Sequence, residues 1–484
     1  MVKKQFQDKK ILIVGLGVLG GGVATTKWFL KRGAEITVTD LKSREELKKS
    51  ICALGNDAKK IKFILGAHNE EDFKQADLIV VNPAVKILGN KFLETAMRLK
   101  KPVTNDLALF LDEVKNPIIA VTGTRGKTTT TNWIAHFLKA HFPKIHASGN
   151  SSDEALLALS ERFSKDKKTP AVLELSSFQL EIANRATRAP DIAVVTNLYQ
   201  DHINRHDAIK NYALAKANIY KNQTERQKLI LNFDNEWARY FVNQKPKANV
   251  YFISLRPLPK NMNGVYVRGN TVVFRDGKKE SVVYGEQTLK LLWARGEHNL
   301  YNFLNAALAS FLAGVSWKEI EKRIATLPDI FLRQEIIIKK KNFIVVNDSA
   351  GTSPDAAIAA LKRFSREGKI IFITGGTDKQ LEFKKLADEI KNTIEPENLF
   401  FLNGSATRKL MRELETRHYF RNKKKNTFED LKDVLLAAHK KMSGTYSHLP
   451  IIVLFSPGAA SFEKFRNEFD RGEKFGEYSK QIFK

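Results

Sequence analysis

Lys127 stands between Gly126 and the pair Thr128-Thr129 in the stretch AVTGTRGKTTT, residues 120–130. A lysine in that setting can reach the β and γ oxygens of a nucleotide. The Thr128 hydroxyl can sit on Mg2+, and backbone N–H groups around Gly123, Thr124, Gly126 and Thr129 can point at phosphates. The general phosphate-loop pattern also asks for a glycine five residues before Gly126. That place is Val121, and the nearest upstream glycine is Gly123. Downstream, Glu174 ends an apolar run in LELSSFQLE (173–181), and His202 lies in TNLYQDHINRH (196–206). A carboxylate at a strand end is either a capping group or a metal ligand, and His202 is either a helix-cap neighbour or a ligand. Beside a phosphate loop the two together suggest a second cation near the γ-phosphate. Lys216, in NYALAKANIY (211–220), reads on its own chemistry as a solvated or snorkelling lysine.

A second glycine turn lies near the N-terminus. Gly15-x-Gly17-x-x-Gly20 follows the run ILIVGLG, and Asp40 ends the next run, EITVTD, twenty residues beyond Gly20. This is the dinucleotide-binding fingerprint in its required context, with glycines that let a diphosphate approach a helix N-terminus. Alone it implies a phosphorylated nucleotide. A dehydrogenase is its obvious reading, and the phosphate loop argues against that.

The elements that must position these groups alternate between strand and helix almost throughout, the pattern of an α/β protein with mainly parallel sheets. ILIVGLG (11–17), EITVTD (35–40), IKFIL (61–65) and DLIVVN (77–82) are strand-like runs, and the pattern restarts after Pro117 and again near 328. The reading is three α/β domains in series. These are a Rossmann-like N-terminal domain over 1–115, a central P-loop ATPase-like domain over 116–327 and a C-terminal Rossmann-like domain over 328–484. A hairpin is predicted over 264–278 around a Gly-Asn turn and an amphipathic helix over 297–314.

Composition limits the partners. The 484 residues carry 80 basic and 53 acidic side chains, a net charge of +27. The lysines are scattered, and the short clusters at 339–341 and 423–425 read as a hairpin tip and a loop, so no nucleic-acid partner is expected. The basic, then apolar start resembles a signal peptide, but its five glycines between 15 and 22 suit a strand and turn instead. No apolar run reaches the roughly 18 residues of a membrane helix. The only cysteine, Cys52, excludes an internal disulfide. A cytoplasmic protein without membrane insertion is expected.

The phosphate loop, ELSSFQLE, the Asp201-His202 pair with its following AKxxIY helix, EHNxxN, NDS, GGxDK and SPGAASFEKF with RGEKF occur in that order. On these motifs the chain resembles the Mur ligase family over nearly its whole length, and the family's phosphate loop is the short one found here. The resemblance implies an ATP-dependent acid–amino-acid ligase that works through an acyl phosphate. The branch it is most similar to adds D-glutamate to UDP-N-acetylmuramoyl-L-alanine in peptidoglycan precursor synthesis, and a monomer is expected. By position, Lys127 would contact the β and γ phosphates and Thr128 the first Mg2+, while Glu174 and His202 would help hold a second. Lys216 would carry a carbamate beside the metal. Asn299 and Asn302 match the adenine side, and Arg333 and Asp348 the ribose and phosphate side, of ATP. Gly15, Gly17, Asp40, Lys42, Asn82 and Pro83 would flank the UDP moiety, with Asn150 touching the acceptor. Thr352, Lys379 and Ser461 fall where the amino acid is bound.

Four places depart from the family's usual pattern: Ser151-Ser152, Ala350, Glu468-Phe469 and the segment LPDIFLRQE. The residues leave open the same reaction with L-glutamate or with a folate- or polyglutamate-type acceptor. They also leave open a nucleic-acid-dependent ATPase and a nucleotide-binding regulator. Neither of the last two accounts for Glu174, His202 and Lys216 together.

Overall fold

The computed structural model describes residues 5–145, 147–149, 155–420, 426–445 and 448–484. The chain divides into two compact units, Met1–Leu289 with Tyr301–Leu327, and Lys290–Leu300 with Pro328–Lys484.

The first unit holds two sheets. Strands β1 (Lys10–Val14), β2 (Glu35–Asp40), β3 (Ile61–Leu65), β4 (Leu78–Val81) and β5 (Val103–Thr104) form a parallel sheet in the order 3-2-1-4-5. Runs such as KILIV and LIVV lack polar alternation because helices cover both faces of such a sheet. The glycine-rich start is therefore a strand and a turn leading into the helix Gly21–Leu30, as expected.

The second sheet comprises β6 (Ile118–Thr122), β7 (Ala147–Gly149), β8 (Ala171–Glu174), β9 (Ile192–Val195), β10 (Lys228–Asn232), β11 (Asn249–Ser254), β12 (Gly264–Arg268), β13 (Thr271–Asp276) and β14 (Lys279–Tyr284). Its order is 14-13-12-11-10-9-6-8-7, parallel from β7 to β12 and antiparallel beyond. The predicted hairpin is β12 and β13. The structure adds β14, whose KESVVY sequence is mostly exposed and gave little apolar signal. One apolar cluster runs from Ile11, Trp28 and Phe29 through Phe110 to Leu157, Leu173 and Tyr212, so the two sheets share a core.

In the second unit, β15 (Glu335–Lys339), β16 (Phe343–Asn347), β17 (Lys369–Thr374), β18 (Leu399–Leu402), β19 (Asn426–Phe428) and β20 (Ile451–Phe455) pair in the order 15-16-20-17-18-19. Only β15 runs antiparallel. Alternate residues feed opposite cores, Val346, Phe372 and Leu454 on one face and Val345, Ile371 and Val453 on the other. The predicted helix over 297–314 is Glu297–Leu312, ended by Gly314. Lysines 339–341 lie at the β15–β16 hairpin tip as read, whereas 423–425 lie outside the described residues. Among the described residues no helix is long and apolar enough to cross a membrane.

Candidate active site

In a parallel sheet, ligands are taken up beyond the carboxyl ends of the strands, where the strand order reverses. In the second sheet that place is β6, which has β8 on one side and β9 on the other. The phosphate loop follows β6, Glu174 ends β8, and residues 196–202 follow β9. Sequence-distant groups thus meet because the topology reverses there.

The loop is held open by its neighbours. Asn197 O accepts the Thr124 N–H at 3.0 Å, Asn197 Oδ1 accepts the Arg125 N–H at 2.9 Å, and the Thr196 hydroxyl donates to Arg125 O at 2.7 Å. Gly126 caps the helix Lys127–Leu138 at φ +79°, and a Cβ there would collide with Asn302 Oδ1. The first turn of that helix carries no acidic residue, so its N–H groups face the loop without a competing charge. Thr128 and Thr129 occupy that turn, and Lys127 Nζ curls over the loop to donate to Thr124 O at 3.2 Å. Arg125 extends sideways, its Nη1 donating to Asp201 Oδ2 at 3.0 Å.

Lys216 is not the solvated lysine that its chemistry alone implied. It is 1% exposed, and its Nζ donates to Gly123 O at 2.8 Å and to Thr122 Oγ1 at 3.4 Å. The nitrogen lies 4.5 Å from the centre of the Tyr212 ring. Burial pushes its pKa well below the usual lysine value, and the Lys127 charge adds to this, with Asp201 and Glu174 opposing. Position 216 falls on the inner face of the helix Ile209–Ala217, next to the loop that an isolated helical pattern cannot show. Tyr212, one turn earlier, comes within 3.3 Å of the Thr124 hydroxyl.

Glu174 is 3% exposed. His202 takes a left-handed conformation, φ +53°, before the short helix Ile203–His206, and Asp207 closes that helix at φ +62°. A four-residue turn bracketed by two such residues stores strain, which its surroundings must hold. The His202 ring sits 5.0 Å from Phe178 and 6.1 Å from Tyr212. Among the described residues no group of three or more His, Cys, Asp and Glu could hold a metal unaided. Mg2+ takes few protein ligands and completes its shell with water and phosphate oxygens. The Thr128 hydroxyl and the Glu174 carboxylate are oxygen donors of the kind it prefers.

ELSSFQLE acquires a structural reason. Ser176 and Gln179 form a reciprocal capping box for the helix Ser177–Leu180, which fixes the chain direction just after Glu174.

The first sheet reverses between β1 and β4, where the glycine turn and Asn82-Pro83 lie. Asn82 and Val85 pack on the glycine turn: a Cβ on Gly15, at φ +88°, would stand 2.8 Å from Val85 Cγ2 and 3.1 Å from Asn82 Cβ. Asp40 accepts the Gly17 N–H at 3.1 Å and the Lys42 N–H at 2.9 Å, so it shapes the turn itself. The Lys42 side chain is exposed, 3.5 Å from Glu46. Asn150, Ser151 and Ser152 lie outside the described residues.

In the second unit, Asp348 follows β16 and accepts the Ser456 hydroxyl at 2.5 Å and the Gln334 N–H at 3.1 Å. Burial raises its pKa to about 7 against the pull of Ser456 and the Arg333 charge. Arg333 lies between Leu332 and Gln334, both at positive φ, so LPDIFLRQE is locally strained. Lys379 Nζ approaches Thr352 Oγ1 at 3.5 Å. Ser461 Oγ is buried and makes no hydrogen bond among the described residues. Arg471, which opens the RGEKF motif but is assigned no role by it, shapes this region: fully buried, it donates to the carbonyls of Ala459, Ala460 and Ser349. Asn299 Nδ2 donates to Arg295 O at 2.9 Å, whereas Asn302, in the first unit, lies against Gly126.

The model described as Mur ligase middle domain matches residues 121–310, and the one described as Mur ligase MurD-like, N-terminal domain matches residues 9–104. A protein of Roseiflexus sp. strain RS-1 named UDP-N-acetylmuramoylalanine--D-glutamate ligase is 36% identical, covering 97% of this chain and 98% of its own. A protein of the same name from Borreliella burgdorferi is 34% identical, covering 98% of each chain. The solved structure of UDP-N-acetylmuramate-alanine ligase MurC from Thermotoga maritima matches with TM-score 0.54 at 18% identity, covering 98% of this chain and 99% of that one. A pseudomurein peptide ligase type C from Methanothermus fervidus matches with TM-score 0.53 at 19% identity, covering 98% and 100%. At those identities the two structures bear on the fold alone.

Proposed function

This chain belongs to the Mur ligase family, and from that premise we propose that it is the ATP-dependent ligase joining D-glutamate to UDP-N-acetylmuramoyl-L-alanine. The proposed division of labour gives the acceptor to residues 1–115, ATP to 116–327 and the amino acid to 328–484. The observation that carries the chemistry is the meeting of Lys127, Glu174 and buried Lys216 around the phosphate loop, where β6 and β8 end.

In this reading an oxygen of the acceptor carboxylate attacks the γ-phosphorus, the bond to the β-phosphate oxygen breaks, and ADP leaves. The amine of D-glutamate then adds to the acyl carbon of the resulting acyl phosphate. A proton leaves the nitrogen, the C–O bond to phosphate breaks, and the amide forms. Lys127 and the N–H groups of the helix Lys127–Leu138 offset the negative charge that grows on the transferring group. Thr128, Glu174, His202 and a carbamate on Lys216 would hold two Mg2+ ions, which supply further charge neutralisation. Asn299, Asn302, Arg333 and Asp348 are assigned to ATP. Gly15, Gly17, Asp40, Lys42, Asn82, Pro83 and Asn150 are assigned to the acceptor, and Thr352, Lys379 and Ser461 to the carboxylates of glutamate. Ser461 fits this: a buried hydroxyl with no hydrogen-bond partner among the described residues is suited to a ligand oxygen. A cytoplasmic monomer is part of the same proposal, and the lone Cys52 suits a reducing compartment.

The test is ADP release with each component withheld in turn. Release is expected only with acceptor and D-glutamate together, and at least about 100-fold slower with L-glutamate, since a site that pairs both carboxylates leaves one unpaired for the wrong enantiomer. Equal rates with the two enantiomers, or release driven by DNA or RNA without acceptor, would contradict it.

A further inference from the structure

Arg205 belongs to none of the groups above, yet its guanidinium is among the most completely bonded in the molecule. It is 8% exposed. Its Nε and Nη2 donate to the two oxygens of Glu181 at 2.9 and 2.8 Å, a side-on bidentate pair. Three successive carbonyls complete the set: Nη1 donates to Ala84 O at 3.0 Å, and Nη2, its two N–H groups shared among three acceptors, also reaches Pro83 O at 3.1 Å and Val85 O at 2.6 Å. The Phe178 ring lies 4.8 Å from the guanidinium carbon.

The two ends of this network are the two halves of the proposed reaction. Residues 82–85 follow β4 and pack on the glycine turn at Gly15 and Gly17. At the other end, Arg205 lies on the short helix that His202 opens, and Phe178 lies against both Arg205 and His202. Glu181 is held from the far side, since Asn218 Nδ2 donates to the carbonyls of Leu180 and Glu181 at 2.9 and 3.0 Å. His206 bonds the Ser177 hydroxyl at 3.0 Å and fixes the end of the strained turn. One planar cation thus joins the loop assigned to the acceptor to the elements that carry Glu174 and His202.

The chemistry needs that link. An acceptor carboxylate must lie in line with the γ-phosphorus at roughly 3–3.5 Å, and an error of about 1 Å can cost about 100-fold in rate. The acceptor is gripped through the first sheet and the phosphate through the second, so the distance between the grips sets the reacting distance. We infer that Arg205 is a positioning residue that sets this distance, by tying carbonyls 83–85 to Glu181 and the His202 turn. The inference rests on the acceptor assignment proposed above.

Lysine keeps the charge but has three donors in no fixed plane and cannot serve a carboxylate and three carbonyls at once. Arg205→Lys is expected to lower kcat about 100-fold and raise the KM for UDP-N-acetylmuramoyl-L-alanine about tenfold. The KM for ATP and the calorimetric Kd for ADP are expected to stay within about twofold. Glu181→Gln should show the same split, less strongly. Lys86→Met is the control at the same seam. Its pair with Asp207 is 2.8 Å long but exposed, and its loss should change every constant less than about twofold. Arg205→Lys with wild-type kcat and acceptor KM overturns the inference, as does an equal weakening of ADP and acceptor. A wild-type protein that does not bind the acceptor in the same calorimeter overturns the functional reading instead.

Discussion

Lys127→Ala is expected to lower kcat by about 1000-fold with the fold and acceptor binding intact. The side chain is only partly buried and starts a helix, where alanine is well tolerated, so the melting temperature should move little. Its amine lies over the loop and donates to Thr124 O at 3.2 Å, and the neighbouring Arg125 donates to Asp201. Removing one preorganised donor from a charge-stabilising site typically costs about 100- to 1000-fold, and a full cation on a transferring phosphoryl group belongs at the upper end. Calorimetry with acceptor alone, paired with the ADP-release assay, separates binding from chemistry. Retention of more than about a tenth of the wild-type kcat would remove Lys127 from its role.

Lys216→Ala is expected to lose activity to a similar degree and to regain part of it in the presence of a short carboxylic acid. An amine at 1% exposure, beside the Lys127 charge, is held toward its neutral form, and a neutral amine is the form that adds CO2. A carbamate there puts an anion in place of the amine, within reach of Glu174 and the phosphate loop, where divalent cations are proposed. Truncation to alanine leaves space beside Tyr212 and Gly123 that acetate can enter. Lys216→Arg, which keeps a cation and cannot carry the group, should stay inactive with or without acid. Activity of Lys216→Ala near the wild-type level, or failure of any carboxylic acid to restore part of what is lost, would argue for a structural lysine.

These groups differ in how far the sequence alone exposes them. The phosphate loop and the N-terminal glycine turn are local devices, in which strand, glycines and helix start follow one another, so residues 120–130 and 11–22 could be read in place. The alternation of strand and helix likewise announced an α/β architecture, and the exposed, weakly patterned β14 escaped it. Lys216 was misread on chemistry alone because its burial depends on Thr122, Gly123 and Tyr212 converging from three elements. Asp201 as the partner of Arg125, and Glu181 with residues 83–85 as partners of Arg205, are tertiary facts spanning 24 to 122 residues of chain. Arg471 is the same case in the second unit: RGEKF marks the residue, but not the carbonyls of Ser349 and Ala459 that its guanidinium bonds. Asp40 was found by its spacing, but its bond to Gly17 follows from the pairing of β1 with β2.

In the proposed reaction the acceptor carboxylate is activated by direct transfer of the γ-phosphoryl group. Acceptor labelled with 18O in the L-alanine carboxylate, turned over with ATP and D-glutamate, tests it in one mass spectrum of the released phosphate. One labelled oxygen should appear in each phosphate and one should remain in the amide carbonyl of the product. Unlabelled phosphate from a reaction that still forms product would contradict the account.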